Sequence, residues 1–324
     1  MPGLLDSFEL KDLRLRNRIV MPAMHTGLAS ESGAVTGELV EHYVQRSAAV
    51  GLVVVEHSYV ALAGKMSAKQ LGIHDDSLIS GLERLAGSVH AAGTPVVIQL
   101  NHAGTRAVKE VTGLQPVGPS ATEAARELSR EEIEGVCDSF GETAHRAVRA
   151  GFDGVEIHGA HGFLLNQFYS PLTNNRRDEY GGSLANRVRF PLEVVEKVKA
   201  VAGGRLLSYR LGADDLDPNG TRVEDSVRFA KQLETAGVDI LDVSGGVCGS
   251  RPERLQGVQG YFMPQAAAVK KAVRVPVVGV GGVTDAVAAD GFVREGKVDL
   301  VAVGRALLED AGWAVKAVEL LKAM

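Results

Sequence analysis

The chain reads as a (β/α)8 barrel, the TIM-barrel class of α/β fold, on three observations. Eight short β-branched runs recur along it with helix-patterned stretches between them. AGFDGVEIHG (150–159), AGVDILDVSG (236–245) and GKVDLVAVG (296–304) share one order: helix end, Gly, Asp, then strand. The Gly takes the left-handed position that ends a helix, and the strand follows within a few residues. Finally, no GxGxxG follows either of the first two strands, where an open doubly wound sheet would carry its phosphate fingerprint. The glycine cluster instead spans Gly279–Gly282, near the end, with Thr284 where a third glycine would stand. Barrels often build phosphate sites from the loops after strands seven and eight, which is where this cluster and Gly304-Arg305 fall.

Taken in order, residues 1–17 predict a short cap on the barrel floor, with Phe8 and Leu10, then Leu13 and Leu15, alternating. Strands follow at Ile19–Ala23, Leu52–Ser58, Pro95–Leu100, Gly154–Gly159, Leu206–Leu211, Ile240–Gly245, Pro276–Gly281 and Leu300–Arg305. Most are almost wholly apolar, as strands covered on both faces should be. Glu131–Ala150, Leu184–Val201 and Val223–Ala236 carry the helical period between them. The strand starts lie 24 to 59 residues apart, the lengths of βα units, with the longer insertions after strands two, three and four. No linker, low-complexity tract or charge block divides residues 1–324, so one domain is expected.

Composition narrows the class. Thirty-five Lys+Arg against forty Asp+Glu give a net charge of −5, which argues against a phosphate-coating nucleic-acid binder. Two cysteines, Cys137 and Cys248, exclude a disulfide framework and a four-thiolate cluster, and fit a reducing cytoplasm. The first dozen residues carry Asp6, Glu9, Lys11 and Asp12 rather than an apolar signal core. No apolar run reaches the ~18 residues of a membrane span; Ala48–Val55 is broken off by Glu56. A soluble, cytoplasmic protein with a small-molecule substrate and neither nucleic acid nor membrane as partner is expected. A homo-oligomer is compatible with all of this.

Chemistry in a barrel comes from polar residues at the C-terminal strand ends. Gln99 and Arg210 lie inside apolar strands, where each must find a buried partner. His158 and His161 stand together at the end of strand four. Gly281-Gly282 and Gly304-Arg305 offer backbone N–H groups and one cation, suited to a phosphate. Each also has an ordinary reading: Gln99 bonding neighbouring backbone, Arg210 pairing with a carboxylate such as Glu156, the glycines as turns, the His pair as zinc ligands that lack a third partner. Together in one barrel mouth they suit a planar heterocycle bearing a phosphate.

The segments LRLRNRIVMPAM (13–24), QLNHAG (99–104), GFDGVEIHGAHGFLLNQFYSPLTNNRRDEYGGSLANRVRF (151–190), DVSGG (242–246) and VGRALLED (303–310) resemble the old yellow enzyme family of FMN-dependent ene-reductases. MHTGL (24–28) is similar to its 2,4-dienoyl-CoA reductase branch, which appends further domains; with the chain stopping at Met324 and holding two cysteines, the barrel alone is expected. The resemblance implies FMN as cofactor and NADH or NADPH as reductant. It places Pro22, Ala23, Met24 and His25 beside the flavin ring, the backbone at His57 near its reactive edge, Gln99 at its pyrimidine end and Arg210 near N1 and O2. Gly281, Gly282, Gly304 and Arg305 would hold the phosphate, and His158 and His161 would be the catalytic donors to the oxygen that activates a C=C bond. The β-carbon of that bond then accepts hydride from flavin N5.

One departure bears on the chemistry. The family's proton-donating Tyr, two residues after the second His, is Phe163 here. Tyr209 alternates with Arg210 and should point out of the barrel, and Tyr169 lies six residues further on. Cys248, in the loop after strand six, stands as an alternative acid, with His25 as another. Three functions follow: a reductase of activated alkenes, a flavin isomerase or dehydrogenase that lacks the acid, and a flavin-binding scaffold without catalysis.

Overall fold

The computed structural model describes residues 2–324. Eight parallel strands close on themselves: β1 (Ile19–Met21), β2 (Leu52–Tyr59), β3 (Val96–Asn101), β4 (Gly154–Gly159), β5 (Leu206–Gly212), β6 (Ile240–Ser244), β7 (Val277–Gly279) and β8 (Leu300–Ala302). Each pairs with the next in sequence, and β8 closes on β1 through Val301↔Ile19 and Ala302↔Val20. The main helices alternate with them: α1 (Gly37–Ser47), α2 (Ile79–Ala91), α3 (Arg130–Arg149), α4 (Arg189–Val201), α5 (Val223–Ala236), α6 (Met263–Lys270), α7 (Ala286–Arg294) and α8 (Trp313–Ala323). The architecture is the (β/α)8 barrel that the strand count and the absent fingerprint predict.

The period of two in each strand sorts its side chains. Val20, Leu52, Val54, Val97, Leu206, Ile240, Val278 and Leu300 point inward and pack as one layer at the barrel bottom. Their neighbours, such as Ile19, Val53, Val55, Val96 and Ile98, join the larger core between strands and helices. Phe8–Leu10 and Leu13–Leu15 form an antiparallel hairpin whose Leu10 and Leu15 join the inner layer and stop the barrel from below. Each such side chain contributes about 1.5–3 kcal/mol when fully buried. The lower half of the barrel is therefore solid, and only the upper end can hold a ligand.

Two expectations shift at element ends. Ala23, Gly281 and the stretch 303–305 lie outside the sheet, because the chain turns over the barrel mouth there. At Gly281 and Gly282 φ is +125° and +64°, conformations that end a strand and that side chains rarely adopt. The stretch Leu184–Val201 is two helices, Leu184–Arg187 and α4, parted at Val188. Pro191 has no N–H for the carbonyl four residues back, so it is tolerated only in a first turn, and a new helix begins just before it. Helix α3 has a full capping box between Ser129 and Glu132. The longer insertions after β2, β3 and β4 are present and build walls above the strand ends. Among the described residues no helix is long and apolar enough to cross a membrane.

Candidate active site

Above the apolar layer the barrel interior turns polar, and the strand register decides which polar groups meet. Gln99 lies beside Glu156, Glu156 beside Ser208, and Arg210 between His158 and Asp242. Gln99 Nε2 donates to Glu156 Oε1 at 2.8 Å, and Ser208 Oγ donates to Oε2 at 2.8 Å. Arg210 Nε stands 3.2 Å from Asp242 Oδ2. Arg210 thus has a carboxylate partner, but it is Asp242 rather than Glu156, because Asp242 is its direct neighbour on the adjoining strand. Gln99 bonds a side chain, not backbone.

All of these groups are buried. One cation between two carboxylates compensates only one of them, so burial and the charge of Asp242 push the Glu156 carboxyl up from its ordinary range. Burial raises Asp242 as well, while Arg210 pulls it down. Because the folded state holds the Glu156 proton more tightly than the unfolded chain, this contribution to stability is complete below the ordinary glutamate range. It is lost as pH climbs from there toward neutrality. Glu156→Gln, which keeps the shape without the charge, is expected to flatten that part of the melting-temperature profile between about pH 4.5 and 8. Parallel profiles for the two proteins would show that Glu156 stays ionised.

Over this layer the strand ends enclose a cavity of about 380 Å³, within the range of small-molecule pockets. Pro22, Ala23, Met24 and His25 line it from the β1 end, His57 from β2, Gln99 from β3, and His158 and His161 from β4 and its loop. Arg210, Gly281, Gly282, Gly304 and Arg305 complete the set that the sequence singled out. Since its nitrogen is spent on Glu156, Gln99 leaves its carbonyl oxygen for the cavity, an acceptor for a ring N–H. Arg210 reaches upward until Nη1 stands 3.4 Å from the carbonyl of Ala23.

At the opposite side, the amides of Gly281, Gly282, Gly304 and Arg305 meet no acceptor among the described residues. Arg305 Nη2 donates to the Tyr261 hydroxyl at 3.1 Å. The glycines also serve a packing purpose: a Cβ at Gly281 or Gly282 would lie 2.7 or 2.8 Å from the Tyr261 ring. An acceptor and a cation on one side, with free N–H groups and a second cation on the other, match the imide edge and single phosphate of FMN.

His158 and His161 face each other edge-on with ring centroids 5.1 Å apart. Burial is the first cause that holds both rings far below the ordinary histidine pKa, and the positive charge of Arg210 adds to it. Both are therefore neutral, each with one N–H and one acceptor nitrogen. His158 Nδ1 is buried with no partner among the described residues, and His161 Nε2 lies 2.7 Å from Ser244 Oγ. His161 carries a left-handed φ of +59°, uncommon for a residue with a Cβ. Its N–H donates to Gly245 O at 3.1 Å and its carbonyl accepts from Arg106 Nη1 at 2.5 Å. The backbone is thus held in a costly conformation by contacts on both sides.

Phe163 lines the same cavity, 4.9 Å from the His158 ring and under the guanidinium of Arg106 at 5.1 Å. Tyr209 faces outward onto Phe229 of α5, as alternation predicts, and the Tyr169 hydroxyl is bonded to Ser226 Oγ at 2.8 Å. Cys248 is not brought to the cavity. Asp215 Oδ1 accepts from Val247 N and the Asp214 carbonyl from Gly246 N, which turns the loop so that the Cys248 thiol donates to the Asp214 carbonyl at 3.2 Å. It lies in a separate hollow beside Asp215 and Arg254, and burial pushes the thiol up to about 12. Arg106, Tyr261 and the turn Gly249–Arg251 line the cavity without having been singled out from sequence. Arg106 ends a single 3₁₀ turn, Gly104–Arg106, and the others sit in loops, so no periodicity marks these side chains as inward.

Residues 4–323 match the model of the NADH:flavin oxidoreductase / NADH oxidase family. The chain is 41% identical to an NADH oxidase of Thermoanaerobacter brockii over 98% of its own length and 51% of that protein's, so it spans about half of that relative. It is 38% identical to an NADPH dehydrogenase of Geobacillus sp. (strain WCH70), covering 96% of this chain and 92% of the other. The structure superposes on the old yellow enzyme homologue from Zymomonas mobilis with a TM-score of 0.87, at 27% identity over 98% of this chain and 93% of that one. With the barrel, the FMN-shaped donor set and these similarities together, the chain belongs to the NADH:flavin oxidoreductase / NADH oxidase family of FMN-dependent oxidoreductases, the old yellow enzyme family.

Proposed function

We propose that this protein is an FMN-dependent NAD(P)H oxidoreductase that reduces activated C=C bonds in enones, enals, nitroalkenes or dienoyl-type substrates. In this reading residues 1–324 form a single cytoplasmic catalytic domain. The observation that carries it is the pair of neutral imidazoles, His158 and His161, facing a cavity whose other walls suit FMN. FMN, when bound, supplies the hydride chemistry. Gln99, Arg210, Gly281, Gly282, Gly304 and Arg305 are the residues that would hold it. The His pair donates hydrogen bonds to the carbonyl or nitro oxygen, draws electron density from the alkene and stabilises the charge that grows on that oxygen. Purified protein is expected to release FMN on heating, to bleach with NADH or NADPH, and to recover colour with an enone. Release of FAD, or no recovery with any activated alkene, would overturn this.

Arg305→Ala is expected to weaken FMN retention by about 10- to 100-fold, since a charge-assisted contact contributes about 1.5–3 kcal/mol. Equilibrium dialysis of the two proteins measures it, and equal dissociation constants would remove Arg305 from the phosphate site.

Phe163 favours a second reading. With a phenyl ring beside His158, and with Tyr169, Tyr209 and Cys248 all directed elsewhere, His25 is left as the other acid singled out from the sequence that lines the cavity. In this reading a β-hydride that is not followed by a proton would go back to the oxidised cofactor from another geometry or position, and the net reaction would be isomerisation with no net redox change. Product analysis on deuterated enones separates scrambled starting material from saturated product.

A further inference from the structure

We propose that His57 is a third neutral N–H donor to the activating oxygen of the substrate, and that Gln70 is the positioning residue that fixes its tautomer. The proposal rests on the alkene-reductase reading above. Gln70, in the loop between β2 and α2, is fully buried. Its Oε1 accepts from the Met66 amide at 2.8 Å, which settles which end of the side-chain amide is oxygen. The other end therefore carries only donors. Gln70 Nε2 reaches His57 Nδ1 at 2.8 Å and the His57 carbonyl at 3.1 Å. Nδ1 must accept, so the proton of the neutral ring sits on Nε2.

The groups around the ring keep it neutral. Burial comes first, followed by His25 from the β1 end, then Arg210 from β5 and Arg106 from the loop after β3, and the result is a pKa lowered to about 3. Nε2 has no acceptor among the described residues, while His57 is buried and lines the cavity. An N–H left without an acceptor in such a place is costly unless a ligand or water takes it.

Its place in the cavity points to the substrate. The His57 ring centroid lies 5.5 Å from Phe163 and 6.4 Å from His158. With hydrogen bonds of about 2.9 Å, two rings so spaced can both reach one oxygen. The two β4-side histidines and His57 on β2 would then surround that oxygen from either side of β3. Neutral His57 is a donor and not an acid, so it adds to polarisation without supplying the proton that Phe163 lacks.

The test uses the FMN-loaded enzyme and cyclohexenone, a substrate that does not titrate. His57→Phe is expected to keep FMN and to slow reoxidation of the reduced enzyme by cyclohexenone about 10- to 100-fold. Gln70→Glu replaces the donor by a carboxylate, which draws the proton to Nδ1 and turns a lone pair toward the cavity. Its rate relative to wild type should be depressed at pH 8 and recover as pH falls and the ring becomes doubly protonated. A merely structural role would lower the rate equally at all pH values. Should Gln70→Glu fail to fold, the ¹⁵N shifts of His57 in the wild-type holoenzyme report the tautomer directly.

An Nδ1–H tautomer, or an unchanged rate in His57→Phe, would overturn the proposal. So would a variant whose only change is the flavin reduction potential, which would make the N–H a contact to the cofactor. If the reduced wild-type enzyme is not reoxidised by any activated alkene, the alkene-reductase reading itself has failed; if wild type is reoxidised and His57→Phe matches its rate, this inference alone has.

Discussion

Replacing His158 and His161 together by alanine is expected to lower kcat/KM for enone reduction by about 10²-fold or more while FMN stays bound. The size follows from the role proposed for the pair. Burial keeps both rings neutral, so each offers an N–H at no cost of dissociating a charge-paired partner. The substrate oxygen they would face is weakly basic before hydride transfer and strongly basic once the alkene has accepted hydride. Hydrogen bonds that strengthen along that path lower the barrier rather than merely tightening binding. The strained backbone at His161, tied to Gly245 and Arg106, keeps one donor oriented before substrate arrives. Neither side chain bonds Gln99, Arg210 or the glycine amides, which is why flavin content should survive. The measurement is steady-state kinetics with flavin content checked by absorbance. A double variant that reduces enones at the wild-type rate would remove the pair from catalysis.

Phe163→Tyr should raise net alkene reduction, by as much as the ~10²–10⁴-fold that a positioned general acid contributes. Phe163 is buried among His57, His158 and the guanidinium of Arg106, and it borders the cavity. A hydroxyl there would stand near His158, beside the proposed site of the substrate oxygen. Reduction by NAD(P)H does not use that proton, so it should change little. His25 is the competing acid: it lines the cavity, its Nε2 lies 3.0 Å from Ser67 Oγ, and its Nδ1 lies 3.7 Å from the buried Glu56 carboxylate. If His25 already serves, Phe163→Tyr does little and His25→Ala slows reoxidation instead. Stopped-flow reoxidation by cyclohexenone, followed with product ratios, decides between them: equal rates and equal products in wild type and Phe163→Tyr would sink the missing-acid account.

Which parts of this were legible in the chain depends on how locally each is encoded. Eight strands could be read because apolar β-branched runs, three of them led in by Gly and then Asp, are a local signal, and burial on both faces leaves that signal uninterrupted. Tyr209 and Arg210 could be sent to opposite sides of β5 because alternation along a strand is fixed by its pleat. The cavity-lining set from Pro22 to Arg305 could be collected because a barrel brings all its C-terminal strand ends to one mouth. Phe163 was visible as one residue in a long matching segment, and its consequence needed only chemistry.

What lay beyond the sequence was set by register and by loops. Arg210 meets Asp242 instead of Glu156 because adjoining strands are staggered by an amount that no single strand records. The direction of Cys248 depends on carboxylates and carbonyls more than thirty residues earlier, Asp214 and Asp215, which turn its loop away from the mouth. Arg106 reaches the cavity from a single 3₁₀ turn and Tyr261 from a loop, segments too short for period or alternation to say which way a side chain faces. The tautomer of His57 is fixed by Gln70, thirteen residues on in a loop with no motif. Sequence determined the barrel and the residues at its mouth, since these follow from local hydrophobic pattern and from closure. Only the tertiary structure decided which of them touch and which proton each one carries, since those depend on distances between strands and loops that are separate in the chain.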